Sequence, residues 1–343
     1  MFSLNTSSNL RTNLGLAQGL LYKERNIKFD YLCFDSTKKL YADQRAVYKE
    51  HFPELLDEIK GISEGGCYNE ELLTNRLLSE FLLTAYGYPV FKRGCTIFGV
   101  KNKEGFFVGR NFDWSTKAQD SIQTFNVNNK SVNSFVSVTD MGVGLTYNSK
   151  NKYFWVEDVI NSKGLFVGVT AAYSFNVGCG LAPIHMLKLL AETCETVTDV
   201  LKKFEEVPLC DPWNYFVADK NGDMVVVEHL ANKNYELVYP KDDMLIKTNH
   251  YLHPNNKKFE NVFEMNSEHT TCYRYKDTQN YLLSNKDSFN LNYVFNILRN
   301  SSSVFQYDEF LRTLWSLAID IYNEDYRLIV TDRTKKEISF GIK

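Results

Sequence analysis

The most constraining feature of this chain is a pair of short apolar runs with a turn sequence between them. Cys95-Thr-Ile-Phe-Gly-Val100 and Phe106-Phe-Val-Gly-Arg110 are rich in branched and aromatic residues, and Lys101-Asn-Lys-Glu-Gly105 separates them. Runs this short are strands rather than helices, and the polar turn ending in glycine folds one back on the other as an antiparallel hairpin. Further strand-like runs are expected over residues 132–139, 153–159, 164–170, 235–239 and 244–248. A second hairpin is expected over 213–230, folding at Asp219-Lys-Asn-Gly-Asp223, and a third near the chain end, where 314–322 and 326–331 flank Asn323-Glu-Asp325.

Other stretches carry helical spacing. Ala46, Val47, Phe52, Leu55, Leu56, Ile59 and Ile62 recur at intervals of three and four, with Pro53 placed to begin a second helix at its first position. Gly65-Gly66 is expected to stop that helix, and Asn69 to cap the next, which runs to about residue 85. Helical period returns over 184–204, 273–283 and 291–298. Strands thus come in clusters with helices between the clusters, which predicts an α+β fold with antiparallel sheets and not a doubly wound parallel sheet. The one boundary worth drawing is Gly94/Cys95. It separates a helical segment, 1–94, from a strand-dominated region, 95–343, the two packed as one domain.

Composition excludes several classes. The chain has 39 Lys+Arg against 42 Asp+Glu over 343 residues, so it lacks the basic balance of a nucleic-acid binder. Its seven Cys are scattered without a C-x-x-C pair, which speaks against a zinc site or a disulfide framework. No apolar run approaches the ~20 residues of a membrane span, and the N-terminus lacks a basic-then-apolar signal pattern. No phosphate-binding G-x-x-x-x-G-K loop, G-x-S-x-G elbow or H-E-x-x-H helix occurs. The expectation is a cytoplasmic protein with no cofactor, no metal, and no nucleic-acid or membrane partner.

Cys95 opens the first strand directly after Gly94, and the hairpin returns Arg110 and Asp113 to its neighbourhood. The thiolate is the reactive form of cysteine, and a nearby guanidinium favours it. On spacing alone, a buried strand cysteine beside a surface ion pair is the plainer reading. A papain-like pairing of Cys95 with His250 lacks the Cys-Gly-Ser-Cys context, and His185, His229 and His253 read as structural.

The ordered motifs say more than the spacing. Gly94-Cys-Thr-Ile-Phe-Gly-Val100, the turn, and Gly109-Arg-Asn-Phe-Asp-Trp114 resemble the start of the processed chain in the choloylglycine hydrolase group of N-terminal nucleophile (Ntn) hydrolases. That group includes bile salt hydrolases, penicillin V acylases and the acyl-CoA:6-aminopenicillanic acid acyltransferase-like enzymes. Asp158-Val-Ile-Asn-Ser-Lys-Gly-Leu165, Asn214-Tyr-Phe-Val-Ala-Asp-Lys-Asn-Gly-Asp223 with Val225-Val-Val-Glu228, Thr270-Thr-Cys-Tyr-Arg-Tyr275 and Thr313-Leu-Trp-Ser316 are similar to its later segments. Lys247-Thr-Asn-His-Tyr251 resembles the Thr-Asn-His segment of the acyltransferase-like branch, which Gly15, Gly19 and residues 53–65 also fit. Two departures stand out. Gln18 precedes Gly19 where the branch often carries His. Ala171 stands where bile salt hydrolases carry an oxyanion-hole Asn, which argues against bile salts and leaves one oxyanion donor unassigned.

The resemblance implies an αββα sandwich of two antiparallel sheets between helical layers, and self-cleavage between Gly94 and Cys95. The freed α-amine, with a pKa near ~7.7–8.0, then serves as the base for the Cys95 sulfur. Asp113 would orient that amine, Arg110 favour the thiolate, Asn249 donate to the oxyanion, and Arg274 bridge the Asp and Asn side chains. The implied substrate is a small N-acylated amine or amino acid, cleaved at a non-peptide amide. The implied assembly is a homo-oligomer of processed heterodimers. The rivals are an acyltransferase at the same site and a non-catalytic binding protein on the same fold. Tyr173, Phe175, Trp213, Tyr215 and Tyr251 are candidates to line an acyl pocket, or are ordinary core.

Overall fold

In chain order, strand β1 (Phe2–Thr6) precedes helices α1 (Leu10–Glu24), α2 (Lys38–His51), α3 (Pro53–Gly66) and α4 (Glu70–Gly87). The hairpin β2 (Gly94–Asn102) and β3 (Gly105–Ser115) follows, then β4 (Gln123–Asn129), β5 (Phe135–Thr139), β6 (Asp158–Asn161) and β7 (Phe166–Ala171). Helices α5 (Pro183–Thr193) and α6 (Val197–Glu206) lead to β8 (Trp213–Ala218), β9 (Met224–His229), β10 (Tyr235–Val238) and β11 (Met244–Lys247). The chain ends with α7 (Pro254–Lys257), α8 (Thr271–Asn285), α9 (Leu291–Asn300), β12 (Leu311–Asp320), β13 (Asp325–Val330) and β14 (Glu337–Phe340). This computed structural model describes residues 2–6, 10–24, 38–87, 94–129, 132–140, 156–172, 174, 176–260, 270–285, 288–301, 303–307, 309, 311–331 and 337–340.

The strands form two sheets. One has the order β1-β4-β5-β6-β7-β8-β9-β10 and the other β11-β2-β3-β12-β13-β14. Neighbours run antiparallel except β1, which lies parallel to β4. Period-2 alternation sorts the side chains into layers. Ile97, Val108, Ile160, Phe166, Phe216, Trp315 and Leu317 fill the space between the sheets. Val167, Val169, Tyr215 and Val227 face the helices of the first half of the chain and α5 and α6, whereas Phe98, Val100, Phe107 and Ala318 face α8 and α9. The result is the four-layer helix–sheet–sheet–helix sandwich that the motifs led one to expect.

Four details differ from the sequence reading. The segment 1–94 is not wholly helical, because β1 joins the larger sheet. Strands β4 and β14 lie outside the runs expected to be strands, each alternating over only two apolar residues. The helical stretch 184–204 is two helices, because Thr196 and Asp199 close a reciprocal capping box that starts α6 afresh. α3 ends at Gly66, where the sequence places its stop, but the left-handed residue that closes it is Cys67 (φ 58°) and not a glycine. The glycines serve packing instead. A Cβ on Gly15, Gly19, Gly61 or Gly65 would overlap backbone atoms of the other helix, so α1 and α3 cross with their backbones in contact.

Candidate active site

Alternation along β2 and β3 divides the motif residues between two faces. Cys95 pairs with Phe112 and Gly94 with Asp113. Cys95, Arg110 and Phe112 therefore point between the sheets, while Gly94, Thr96, Asn111 and Asp113 point toward α8 and α9. All of these side chains are buried.

On the inter-sheet face, the Arg110 guanidinium is held by four hydrogen bonds. Its Nε donates to both Asp158 oxygens at 3.0 and 3.1 Å, Nη1 to the Asn111 carbonyl at 2.7 Å and Nη2 to the Val169 carbonyl at 2.9 Å. Burial works against its charge, but Asp158 and the Cys95 sulfur beside it hold the Arg110 pKa above its ordinary value. Asp158 also accepts from Trp315 Nε1 at 2.7 Å. Asp158 thus opens a recognised motif, but only the packing of the sheets reveals it as the partner of Arg110.

A β-bulge makes both faces work. The register of β12 against β3 shifts between Thr313 and Trp315. Residues two apart on a regular strand share a face; across the bulge they do not. Trp315 consequently reaches Asp158 between the sheets, stacked on Phe112 with centroids 3.9 Å apart, while Thr313 reaches Asp113 on the opposite side.

Asp113 accepts from Thr313 Oγ1 at 2.7 Å through Oδ1. Its Oδ2 accepts no hydrogen bond among the described residues, and it lies 2.7 Å from where a Cβ on Gly94 would sit. Burial raises the Asp113 pKa, against the opposing pull of Arg274, the Thr313 hydroxyl and Arg110.

The Cys95 backbone is held from α8 and from the chain after β11. Its N–H donates to Asn249 Oδ1 at 3.0 Å, and its carbonyl accepts from Arg274 Nη1. Arg274 also donates to Thr96 Oγ1 at 3.1 Å and to Asn249 Oδ1 at 2.8 Å. Asn249 Nδ2 donates to the Ala171 carbonyl at 3.0 Å, and the Asn249 N–H to Thr271 Oγ1 at 2.9 Å. The five candidate residues Cys95, Arg110, Asp113, Asn249 and Arg274 therefore share one neighbourhood. Arg274 bridges differently from expectation: it hydrogen-bonds Asn249 and the Cys95 strand, and reaches Asp113 only through its charge. Thr271 and Thr313, neither singled out from sequence, complete the arrangement.

His250 is engaged elsewhere. Its Nδ1 contacts Thr248 Oγ1 at 3.1 Å and Thr271 Oγ1 at 3.0 Å, and burial, with the charges of Lys247 and Arg274, pushes its pKa down to about 3. The aromatic candidates also resolve. Trp213 and Tyr215 lie on the helix-facing side of their sheet, with Tyr215 packed edge-on against Phe204, so neither lines a pocket at Cys95. Tyr251 is buried core beneath the Lys247 ammonium. Tyr173 and Phe175 lie outside the described residues.

Residues 100–335 match the profile of the acyl-coenzyme A:6-aminopenicillanic acid acyl-transferase family, a match that takes in Arg110, Asp113, Asn249 and Arg274 and begins just past Cys95. The chain belongs to that family. Among solved structures, it is similar to a variant of conjugated bile acid hydrolase from Clostridium perfringens, with 14% identity, 72% of this chain and 92% of that chain covered, and a TM-score of 0.51. An N-acylethanolamine-hydrolyzing acid amidase ortholog from Caenorhabditis elegans gives 14% identity, 66% and 93% coverage and a TM-score of 0.49. Penicillin V acylase from Agrobacterium tumefaciens gives 14%, 72% and 86%, and 0.48. The bile acid hydrolase likeness is one of fold, the Ntn-hydrolase sandwich of two antiparallel sheets. No curated protein sequence matches.

Proposed function

We propose that this family member is a self-processing cysteine amidohydrolase that cleaves a non-peptide C–N bond in a small N-acylated amine or amino acid. One observation carries the reading. The nitrogen of Cys95 is already held by Asn249 Oδ1, next to an Asp113 oxygen that accepts no hydrogen bond among the described residues and faces Gly94. An anionic acceptor left unmatched beside an uncharged peptide nitrogen becomes matched once that nitrogen is an amine.

In the cleavage step, Cys95 Sγ bonds to the Gly94 carbonyl carbon, the C–N bond breaks, and the thiol proton passes to the departing nitrogen. Water then hydrolyses the thioester, leaving a Gly94 carboxylate and a free Cys95 thiol and amine. In turnover, the amine takes the Sγ proton as sulfur attacks the substrate carbonyl, then delivers it to the leaving amine. Asp113 and Asn249 Oδ1 orient the amine. Arg110 faces the sulfur with its charge secured by Asp158. Asn249 Nδ2 has one N–H committed to Ala171, and its second is the donor for the tetrahedral oxyanion.

The family match supports a second reading, in which an amine rather than water accepts the acyl group from the Cys95 thioester. A purified sample supplied with an acyl thioester and an amine separates the two by the ratio of amide to free acid. Intact-mass analysis tests both. Two fragments meeting at Gly94/Cys95 are expected, with a single uncut chain for Cys95→Ala. A wild-type sample that stays whole and matches Cys95→Ala in every assay would favour the non-catalytic rival.

A further inference from the structure

The chemistry above leaves Glu228 and Lys247 without a task, yet both side chains are fully buried and paired, Nζ to Oε1 at 2.5 Å. A buried ion pair roughly breaks even against apolar residues of the same volume, so stability alone does not explain one here. Its contacts do. Glu228 Oε1 accepts from the Leu252 N–H at 2.5 Å and Oε2 from the His253 N–H at 3.0 Å, while Lys247 Nζ donates to the His250 carbonyl at 2.5 Å. The pair thus grips the backbone of 250–253, immediately after Asn249.

Glu228 does not act alone. Thr170 lies opposite Asn214, and Asn214 opposite Glu228, so three neighbouring strands present a polar row on one face. Thr170 Oγ1 donates to the Thr248 carbonyl at 2.7 Å. Asn214 Nδ2 donates to Thr170 Oγ1 at 3.0 Å and to the Asn249 carbonyl at 3.4 Å. From the other side, Thr271 Oγ1 accepts from the N–H groups of Asn249 and His250. Every hydrogen-bonding side chain of the row is spent on the backbone of 248–253, at positions where a sheet interior is otherwise apolar.

We infer that Glu228 and Lys247, with Asn214 and Thr170, are positioning residues that fix the Asn249 carboxamide. Asn249 must serve two atoms at once, Oδ1 toward the Cys95 nitrogen and Nδ2 toward the oxyanion. Its side chain can do so only if its backbone does not rotate. The inference rests on the role of Asn249 proposed above. An oxyanion donor removed outright costs ~10²–10³ in rate, and one displaced by a fraction of an ångström costs part of that.

The test is a double-mutant cycle read as the rate of acyl-thioester formation on Cys95. Glu228→Gln keeps the size but replaces two acceptor oxygens with one, so it cannot hold Lys247 and both N–H groups. It is expected to slow acylation ~10–100-fold with KM changed less than about threefold. In an Asn249→Ala background, the same substitution is expected to cost less than about twofold, because the group it positions is gone. An equal loss in both backgrounds, or no loss in the parent, would overturn the inference. Should Glu228→Gln fail to fold, the charge-free pair Glu228→Gln/Lys247→Met takes its place in the cycle. A parent enzyme that forms no thioester on Cys95 overturns the proposed function and this inference with it. A parent that forms one, with additive losses, overturns only the positioning role.

Discussion

Replacing Asp113 with Asn should make the uncleaved protein more stable while destroying its activity. The carboxyl is buried, Oδ1 is matched by Thr313, and Oδ2 is unmatched among the described residues. A buried polar atom without a partner costs about 1–3 kcal/mol, and more when it carries charge. Burial raises the Asp113 pKa above the ordinary 3.8, so the folded precursor binds this proton more tightly than the unfolded chain does. Its contribution to stability is therefore most favourable below pH 3.8 and is lost as pH rises toward the raised value. Asn carries no charge at any pH, and Asp113→Asn removes that loss. In a Cys95→Ala background, which on the proposed mechanism keeps the chain intact, the gain at pH 7.5 should be about 1–3 kcal/mol, or roughly 1–4 °C in Tm for a chain of this size. Calorimetry of the pair at pH 7.5 and pH 4.5 should show the gap shrinking at the lower pH. In an enzyme processed as proposed the sign should reverse, since a freed ammonium would supply the missing partner and Asn cannot match its charge. An Asp113→Asn precursor less stable than its parent at pH 7.5, or a gain unchanged at pH 4.5, would refute the reasoning.

Two further outcomes follow from the packing. Gly94→Ala puts a Cβ 2.7 Å from Asp113 Oδ2 and 2.9 Å from Asp113 Cβ, an overlap that shifts the bond to be cut and should slow self-cleavage by about 10-fold or more; once cut, the variant should turn over at the parental rate, which time-resolved gel analysis followed by an acylase assay would check. Arg11, which is part-buried, and the buried Glu58, Lys188 and Glu192 form an ionic cluster joining α1 and α3 to α5 across the proposed cleavage point. Burial opposes the Glu192 charge, but Lys188 and Arg11 prevail and hold its pKa below 4.5. Glu192→Gln should therefore cost stability at neutral pH by leaving Lys188 and Arg11 short of a counter-charge, and the deficit should narrow as pH falls below 4.5 through the lowered value; chemical denaturation at pH 7 and pH 4 would reveal an unchanged deficit if the cluster is inert.

Much of the sandwich was legible because strand and helix periods arise from neighbours in sequence. The runs around Cys95 and Arg110 are short, apolar and joined by a polar turn, and no packing partner was needed to read a hairpin or to return Arg110 to the side of Cys95. Family motifs then supplied Asn249 and Arg274, whose distance along the chain from Cys95 hides their contact with it. β1, β4 and β14 each alternate over only two apolar residues, too few to mark a strand without its partner; β1 and β14 are the edges of their sheets, and β4 lies between β1 and β5.

What the chain encoded by itself was therefore a set of elements, the face each residue occupies, and the residue types able to perform acyl chemistry. Tertiary structure decided which faces meet. It put Asp158 under Arg110, turned Thr313 and Trp315 to opposite sides through one bulged residue, used Gly61 and Gly65 for a close helix crossing, and consigned Tyr215 to the core. The physical reason is that steric preference acts over a few bonds, whereas the partner of a buried charge is chosen by the burial of whole layers, and a register change of one residue reverses that choice.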